Sequence, residues 1–125
     1  MGGILQEIDL GGRKCWTLFD PERRHSFITS DAAADEFRYK LQQSYRARFN
    51  GEVQVISESC TVMANIEDHP VHFLAWVVGH IGRDEDGREI DVLFGLGEMK
   101  HWGIKPDAAT GRLDFTHYSR VFVEF

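Results

Sequence analysis

From Gly51 onward the hydrophobicity of this chain alternates with a period of two, and nothing else in the sequence restricts the fold as strongly. The stretch EVQVISESCTVMANI (52–66) reads as one strand, long enough to need a bend or bulge near Ser57–Ser59. After a turn at Glu67-Asp68-His69-Pro70, the segments VHFLAWVVGHIG and REIDVLFGLG read as a hairpin around Arg83–Gly87. Successive side chains of a strand point to opposite faces, so parity sorts them. Phe73, Ala75, Val77, Gly79 and Ile81 share one face, and Ile90, Val92, Phe94 and Leu96 can continue it. The other face carries His72, Leu74, Trp76, Val78 and His80, with Asp91, Leu93, Gly95 and Gly97 beside them. Both faces are apolar. A half-exposed antiparallel sheet keeps one face polar, so the second face requires a cover: another sheet, a partner chain or a ligand.

Upstream, ILQEIDLGGRKCWTLF (4–19) predicts a hairpin, with Gly11-Gly12 supplying the positive φ angles of a two-residue turn. DPERRHSF (20–27) reads as a polar connection, and its Arg23-Arg24-His25 as a small solvent-exposed basic cluster. A helix is expected next, capped by Ser30 or Asp31 and closed by Asn50-Gly51. Phe37, Leu41, Tyr45 and Phe49 recur every four residues and would form its apolar stripe. Residues 99–112 show no periodicity and read as a long loop, and LDFTHYSRVFVEF (113–125) as a final strand. The predicted fold is therefore a single α+β domain spanning 1–125. One main helix packs on a curved, mostly antiparallel sheet of five or six strands, in the order ββαβββ plus a final strand.

The segment HPVHFLAWVVGH (69–80) holds three of the six histidines, which raises the question of a metal. His72 and His80 share a face but lie roughly 26 Å apart along an extended strand. Zinc ligands sit about 2 Å from the ion, so no metal site is expected here. The acidic turn Asp84-Glu85-Asp86-Gly87 lacks carboxylates at the first and twelfth positions of a calcium loop. Gly95-x-Gly97 lacks the third glycine of a dinucleotide fingerprint, and no cofactor is expected. Cys15 and Cys60 stand in no motif, and two isolated thiols fit a reducing compartment. No basic-then-apolar leader opens the chain, no apolar run approaches a membrane span, and a cytoplasmic protein is expected. A net charge of −6, with acidic and basic residues interspersed, argues against a nucleic-acid surface.

Two functional readings follow. The first is a non-enzymatic interaction protein: a subunit, accessory factor, immunity protein or mobile-element inhibitor, binding a protein partner or itself as a homodimer. Trp76, Gly95, Gly97, His101 and Trp102 are its expected binding residues, the last two in the long loop. The absence of a catalytic signature tips the balance against an enzyme. The alternative is a small-ligand binder or proton-transfer enzyme, with a pocket between helix and curved sheet as in cystatin-like cones. A four-residue turn would set His80 opposite Asp91, and that pair would be its catalytic acid–base couple.

Overall fold

The Gly11-Gly12 turn forms as expected: both glycines have positive φ (57° and 95°), and the Asp9 carboxylate accepts the Gly12 N–H at 2.6 Å. It joins β1 (Ile4–Leu10) to β2 (Arg13–Asp20) in an antiparallel pair. The computed structural model describes residues 3–118. Its further elements are β3 (Phe27–Thr29), β4 (Arg38–Phe49), β5 (Glu52–Ile66), β6 (His69–Val78) and β7 (Val92–Gly95). A short helix, α1 (Leu96–Trp102), and a small hairpin of β8 (Lys105–Asp107) and β9 (Arg112–Asp114) follow. The fold is mostly β: a mixed seven-stranded sheet in the order β1-β2-β7-β3-β6-β5-β4, with α1 the one helix among the described residues. A further bridge, Asp9 to Asn65, ties β1 to the far end of β5.

The predicted helix over 31–50 does not exist, and the α+β class with its ββαβββ order falls with it. Thr29 Oγ1 accepts the Ala32 N–H at 3.2 Å, and residues 30–36 make only a succession of turns. From Arg38 the chain is a strand. The stripe Phe37, Leu41, Tyr45, Phe49 misled because a spacing of four is even, so it holds one face of a strand as well as one side of a helix. Only neighbours three apart distinguish the two, and the stripe has none. In the structure Phe37, Tyr39 and Tyr45 are exposed, which no core-facing helix would permit.

The second correction concerns the ribbon after residue 71. β7 does not pair with β6, because β3, only three residues long, lies between them, parallel to β6 and antiparallel to β7. β7 also runs parallel to β2. These two parallel pairings make the sheet mixed rather than mostly antiparallel. The acidic turn is local, with the Asp84 N–H on the Arg88 carbonyl at 2.9 Å. The expected loop at 99–112 holds the end of α1 and most of the β8–β9 hairpin; residues 119–125 of the expected last strand lie outside the described residues.

Face assignments from parity hold within β6 and β7. They fail for Ile81 and Ile90, which lie beyond the strand ends, where strict alternation no longer applies, and join the opposite cluster. Phe73, Ala75, Val77, Val92 and Phe94 are buried together with Ile8, Cys15, Phe19 and Val62 in the main core. Trp102 and Ile104 seal one end of it. A second apolar cluster, Phe27, Phe49, Ile56, Val78, Ile81, Ile90 and Leu93, lies on the other side of the β6/β3/β7 ribbon. This is the second apolar face, and the cover over it belongs to the same chain. Residues 52–58 of β5 pair only with β4, so the two strands leave the body as an arm. The tip of that arm, Phe49, folds back onto Phe27 (ring centroids 5.0 Å apart, edge-on). No helix among the described residues is long and apolar enough to cross a membrane.

Candidate functional site

Beneath that tip opens a cleft of about 650 Å³. Leu5, Trp16, Leu18, Ile90 and Leu93 give it an apolar side, Phe49 and Asn50 approach from the arm, and residues 81–86 form a lip. At one end stand Asp20 and Arg23. The volume lies within the range of small-ligand and peptide pockets. A second hollow of about 400 Å³, beside Glu7, Asp9, Lys14 and Glu67, is mostly polar, and there Lys14 already pairs with Asp9 at 3.4 Å.

Asp20 reaches the cleft because it ends a buried strand. The preceding Phe19 is fully buried against Phe94 (5.2 Å), so its successor must face the other way. In the parallel pairing of β2 with β7, Asp20 stands beside Gly95. The chain then turns sharply: the Glu22 N–H donates to Asp20 Oδ1 at 2.9 Å, and the Arg23 N–H to the Asp20 carbonyl at 3.3 Å. Pro21 has no N–H, so among these turn residues Glu22 is the donor that orients the carboxylate.

The loop from Pro21 to Ser26 is fastened to the junction of β7 and α1. The Leu96 N–H donates to the Arg23 carbonyl (2.7 Å) and the Gly97 N–H to the Arg24 carbonyl (3.1 Å). The buried Ser26 hydroxyl accepts the Gly95 N–H (2.9 Å) and donates to Glu98 Oε1 (2.6 Å), while the Ser26 carbonyl takes the Trp76 N–H (3.0 Å). Such close approach requires glycine. A Cβ on Gly95 would lie 2.4 Å from the His25 carbonyl oxygen. Asp20 is therefore held on fixed backbone rather than on a loose loop, as a working carboxylate requires.

The residues anticipated from sequence are distributed differently. His80 and Asp91 are not brought together, since β3 separates their strands by two interstrand spacings, about 10 Å. The His80 N–H donates to Gln54 Oε1 (3.1 Å), and the Asp91 carboxylate accepts the Trp16 N–H (2.8 Å). Trp76 stacks on His25 (4.6 Å) and Tyr45 (5.0 Å) and lies outside the cleft lining. Gly95 and Gly97 accommodate the Asp20 loop. Trp102 is buried, its Nε1–H donating to the His72 carbonyl (3.0 Å), and His101 is exposed on α1. Asp20, Arg23 and Phe49 were missed. The available signal was the glycine pair, which marked a close backbone approach whose partner is the chain segment 23–25.

The lip carries its own electrostatics. Asp84 accepts the Arg88 N–H (2.8 Å), the Asp86 N–H (2.9 Å) and Trp16 Nε1–H (2.9 Å). The backbone donor from Arg88 contributes most to holding its carboxyl below the usual carboxylate range. Arg88 lies over the Trp16 ring at 4.3 Å and pairs with Glu7 at 2.9 Å.

No protein-family model matches this sequence, and no curated protein matches it. Among solved structures it is similar to the crystal structure of the retroviral protease-like domain of Ddi1 from Leishmania major. That likeness covers 94% of this chain and 90% of the other, with a TM-score of 0.66 at 12% sequence identity. The chain has a retroviral-protease-like, pepsin-like fold. This overturns the expectation of a cystatin-like α+β cone. It also overturns the reading of a non-enzymatic interaction protein or inhibitor, and the balance struck against an enzyme; of the two sequence-based readings, the pocket-enzyme alternative stands nearer to this architecture.

Proposed function

We propose that this chain is one half of an aspartic-type peptidase, completed when two copies bring their Asp20 carboxylates together. The observation that carries the reading is Asp20, anchored by the β7–α1 junction at the end of an apolar cleft, on a framework shared with a retroviral protease-like domain.

Peptide hydrolysis by carboxylates needs two of them sharing one proton. The ionised member takes a proton from the attacking water while the protonated member gives its own to the scissile carbonyl oxygen. The proton taken from water then passes to the leaving amine, and a gem-diol hydroxyl returns its proton to the other carboxylate as the C–N bond breaks, which restores the pair. Two carboxyls about 3 Å apart cannot both ionise, so the pair holds this mixed state over a range of acid pH. Within one chain the other acidic residues of the cleft, Asp84, Glu85 and Asp86, all belong to the lip. The carboxylate of Asp84, across the cleft, is already engaged by three N–H donors and ill suited to sharing that proton. A second copy related by a two-fold axis supplies an identical Asp20 without further design, so self-association belongs to the proposal. An extended peptide would lie along the apolar side, beneath the tip of the β4–β5 arm.

The test pairs sedimentation velocity with a cleavage screen. The full chain is incubated with a mixed peptide library between pH 3.5 and 7, and products are read by mass spectrometry. Cleavage by a dimeric species is expected, with a loss of at least ~10³-fold in Asp20→Asn. Where subunits exchange, excess Asp20→Asn chain should suppress wild-type turnover by forming mixed dimers. Cleavage that survives in Asp20→Asn, or full activity in a strictly monomeric sample, would refute the paired-carboxylate reading.

A further inference from the structure

We propose that Arg23 is a latch that holds the β4–β5 arm closed over the cleft, joining the mobile cover directly to the loop that carries Asp20. The inference goes beyond the peptidase reading and concerns access to the cleft, whatever occupies it.

Besides Arg23, side chains rather than strand pairing hold the arm down: Ile56 is fully buried, Tyr45 stacks on Trp76, and Gln54 bonds to Gly79 and His80. Residues 52–58 of β5 have only β4 as a neighbour, and an isolated two-stranded hairpin is marginally stable in water. The pairing is itself interrupted, since register shifts between Lys40 and Tyr45, which gives the arm a natural bending point. Phe49 at the tip is nonetheless 97% buried, at 3% relative exposure, and that burial lasts only while the arm is closed.

Arg23 makes two contacts with the tip. Its guanidinium carbon lies 4.4 Å from the Phe49 ring centroid, and its Nη2 donates to the Arg48 carbonyl. The planar guanidinium suits both at once, stacking on the ring while its edge hydrogen-bonds. The backbone of Arg23 is fixed at both sides, its N–H on the Asp20 carbonyl and its carbonyl on the Leu96 N–H. The anchor therefore belongs to the rigid part of the site, and the arm is what must move. Gln54, on the shank of the arm, adds a neutral tie to Gly79 (2.8 Å) and His80 (3.1 Å). Among the described residues no carboxylate pairs with Arg23, so opening releases a cation into the cleft a few residues from Asp20.

Hydrogen exchange on the intact chain, read by mass spectrometry, tests the latch without requiring any turnover, so failure of the peptidase reading leaves the result interpretable. In Arg23→Ala, amides of residues 45–54 should exchange about tenfold faster, the loss of one cation–π contact and one hydrogen bond. Residues 61–66 and 71–77, in the sheet body, should keep wild-type protection. Arg23→Lys keeps the charge but loses the flat stacking surface, and should accelerate the same amides by a smaller factor. Phe49→Leu should mimic Arg23→Ala, with the double variant no faster than the quicker single. Unchanged tip protection in both Arg23 variants overturns the proposal, as does acceleration spread evenly over the sheet or strictly additive effects. If Arg23→Ala fails to fold, Arg23→Lys decides by the same criteria.

Discussion

Replacing Gly95 by alanine adds one methyl group at the junction on which the Asp20 loop rests. The backbone there is ordinary, with φ −89° and ψ 175°, so an alanine suffers no conformational strain and its whole cost is contact. The new Cβ would lie 2.4 Å from the His25 carbonyl oxygen, 2.7 Å from its carbon and 3.0 Å from the Arg23 carbonyl oxygen. All three are backbone atoms, so no rotamer change relieves the clash. Restoring van der Waals separation means moving the loop by about 1 Å. That movement strains the bonds from the Gly95, Leu96 and Gly97 N–H groups. Overpacking costs about 1–3 kcal/mol and the three hydrogen bonds, strained rather than broken, about 2 kcal/mol together, so about 3–5 kcal/mol is expected in all. At about 4 °C per kcal/mol for a domain of this size, Tm should fall by about 10–20 °C. Gly97→Ala is the internal control. Its Cβ would meet the Arg24 carbonyl oxygen at 3.1 Å, a gap that a few tenths of an ångström repair. An alanine in the first turn also gains helix propensity of up to about 1 kcal/mol, so the change should be near neutral. Urea and thermal unfolding of the two variants side by side give the answer. A Gly95→Ala protein as stable as wild type, or a Gly97→Ala protein less stable than it, would show that the loop is not seated as described.

Two further predictions concern ionisation. Asp84 has its pKa lowered in the folded state, so it stabilises the fold above its unfolded value and that contribution is lost as pH falls below about 4. Asp84→Asn should flatten the acid limb of a stability–pH profile and shift Trp16 fluorescence; an unchanged acid limb would count against the hydrogen-bonded lip. Burial pushes the Cys15 and Cys60 thiols up to about 11, so neither should react with iodoacetamide at pH 8 until urea unfolds the chain. Rapid labelling of the native protein at either position would place that strand outside the core.

Much of the sheet was legible because its signals are local. The turn at Gly11-Gly12, the strand over 52–66 and the buried face of β6 all follow from period-two alternation and turn chemistry. What failed depends on distant partners. The spacing Phe37, Leu41, Tyr45, Phe49 fits helix and strand equally, and the choice was made by β5, whose residues 52–60 pair with 38–49. Phe27–Thr29 is too short to announce itself as a strand, yet by entering between β6 and β7 it separates His80 from Asp91. Asp20 carried no mark of its own in a polar run. Its environment comes from Gly95–Glu98, more than seventy residues later in the chain, and its proposed catalytic partner from another copy.

The doubly apolar ribbon connects these observations. Its main-core face is permanently covered, whereas its second face, with Val78, Ile90 and Leu93, is covered by the arm, which brings down Phe49 and Ile56, and is bordered by Leu5, Trp16 and Leu18. A sheet packed there would give a stable core and no cleft, and an uncovered face would be an aggregation surface. A two-stranded arm held at its tip lies between those extremes. Phe49, Ile56 and Arg23 keep the apolar side from water, and a bound peptide can take over that role because the contacts to be broken are side-chain contacts rather than strand pairings. On this reasoning the weakness of the arm is a condition of function. Strengthening the latch should hinder access to the cleft even as it raises the stability of the fold.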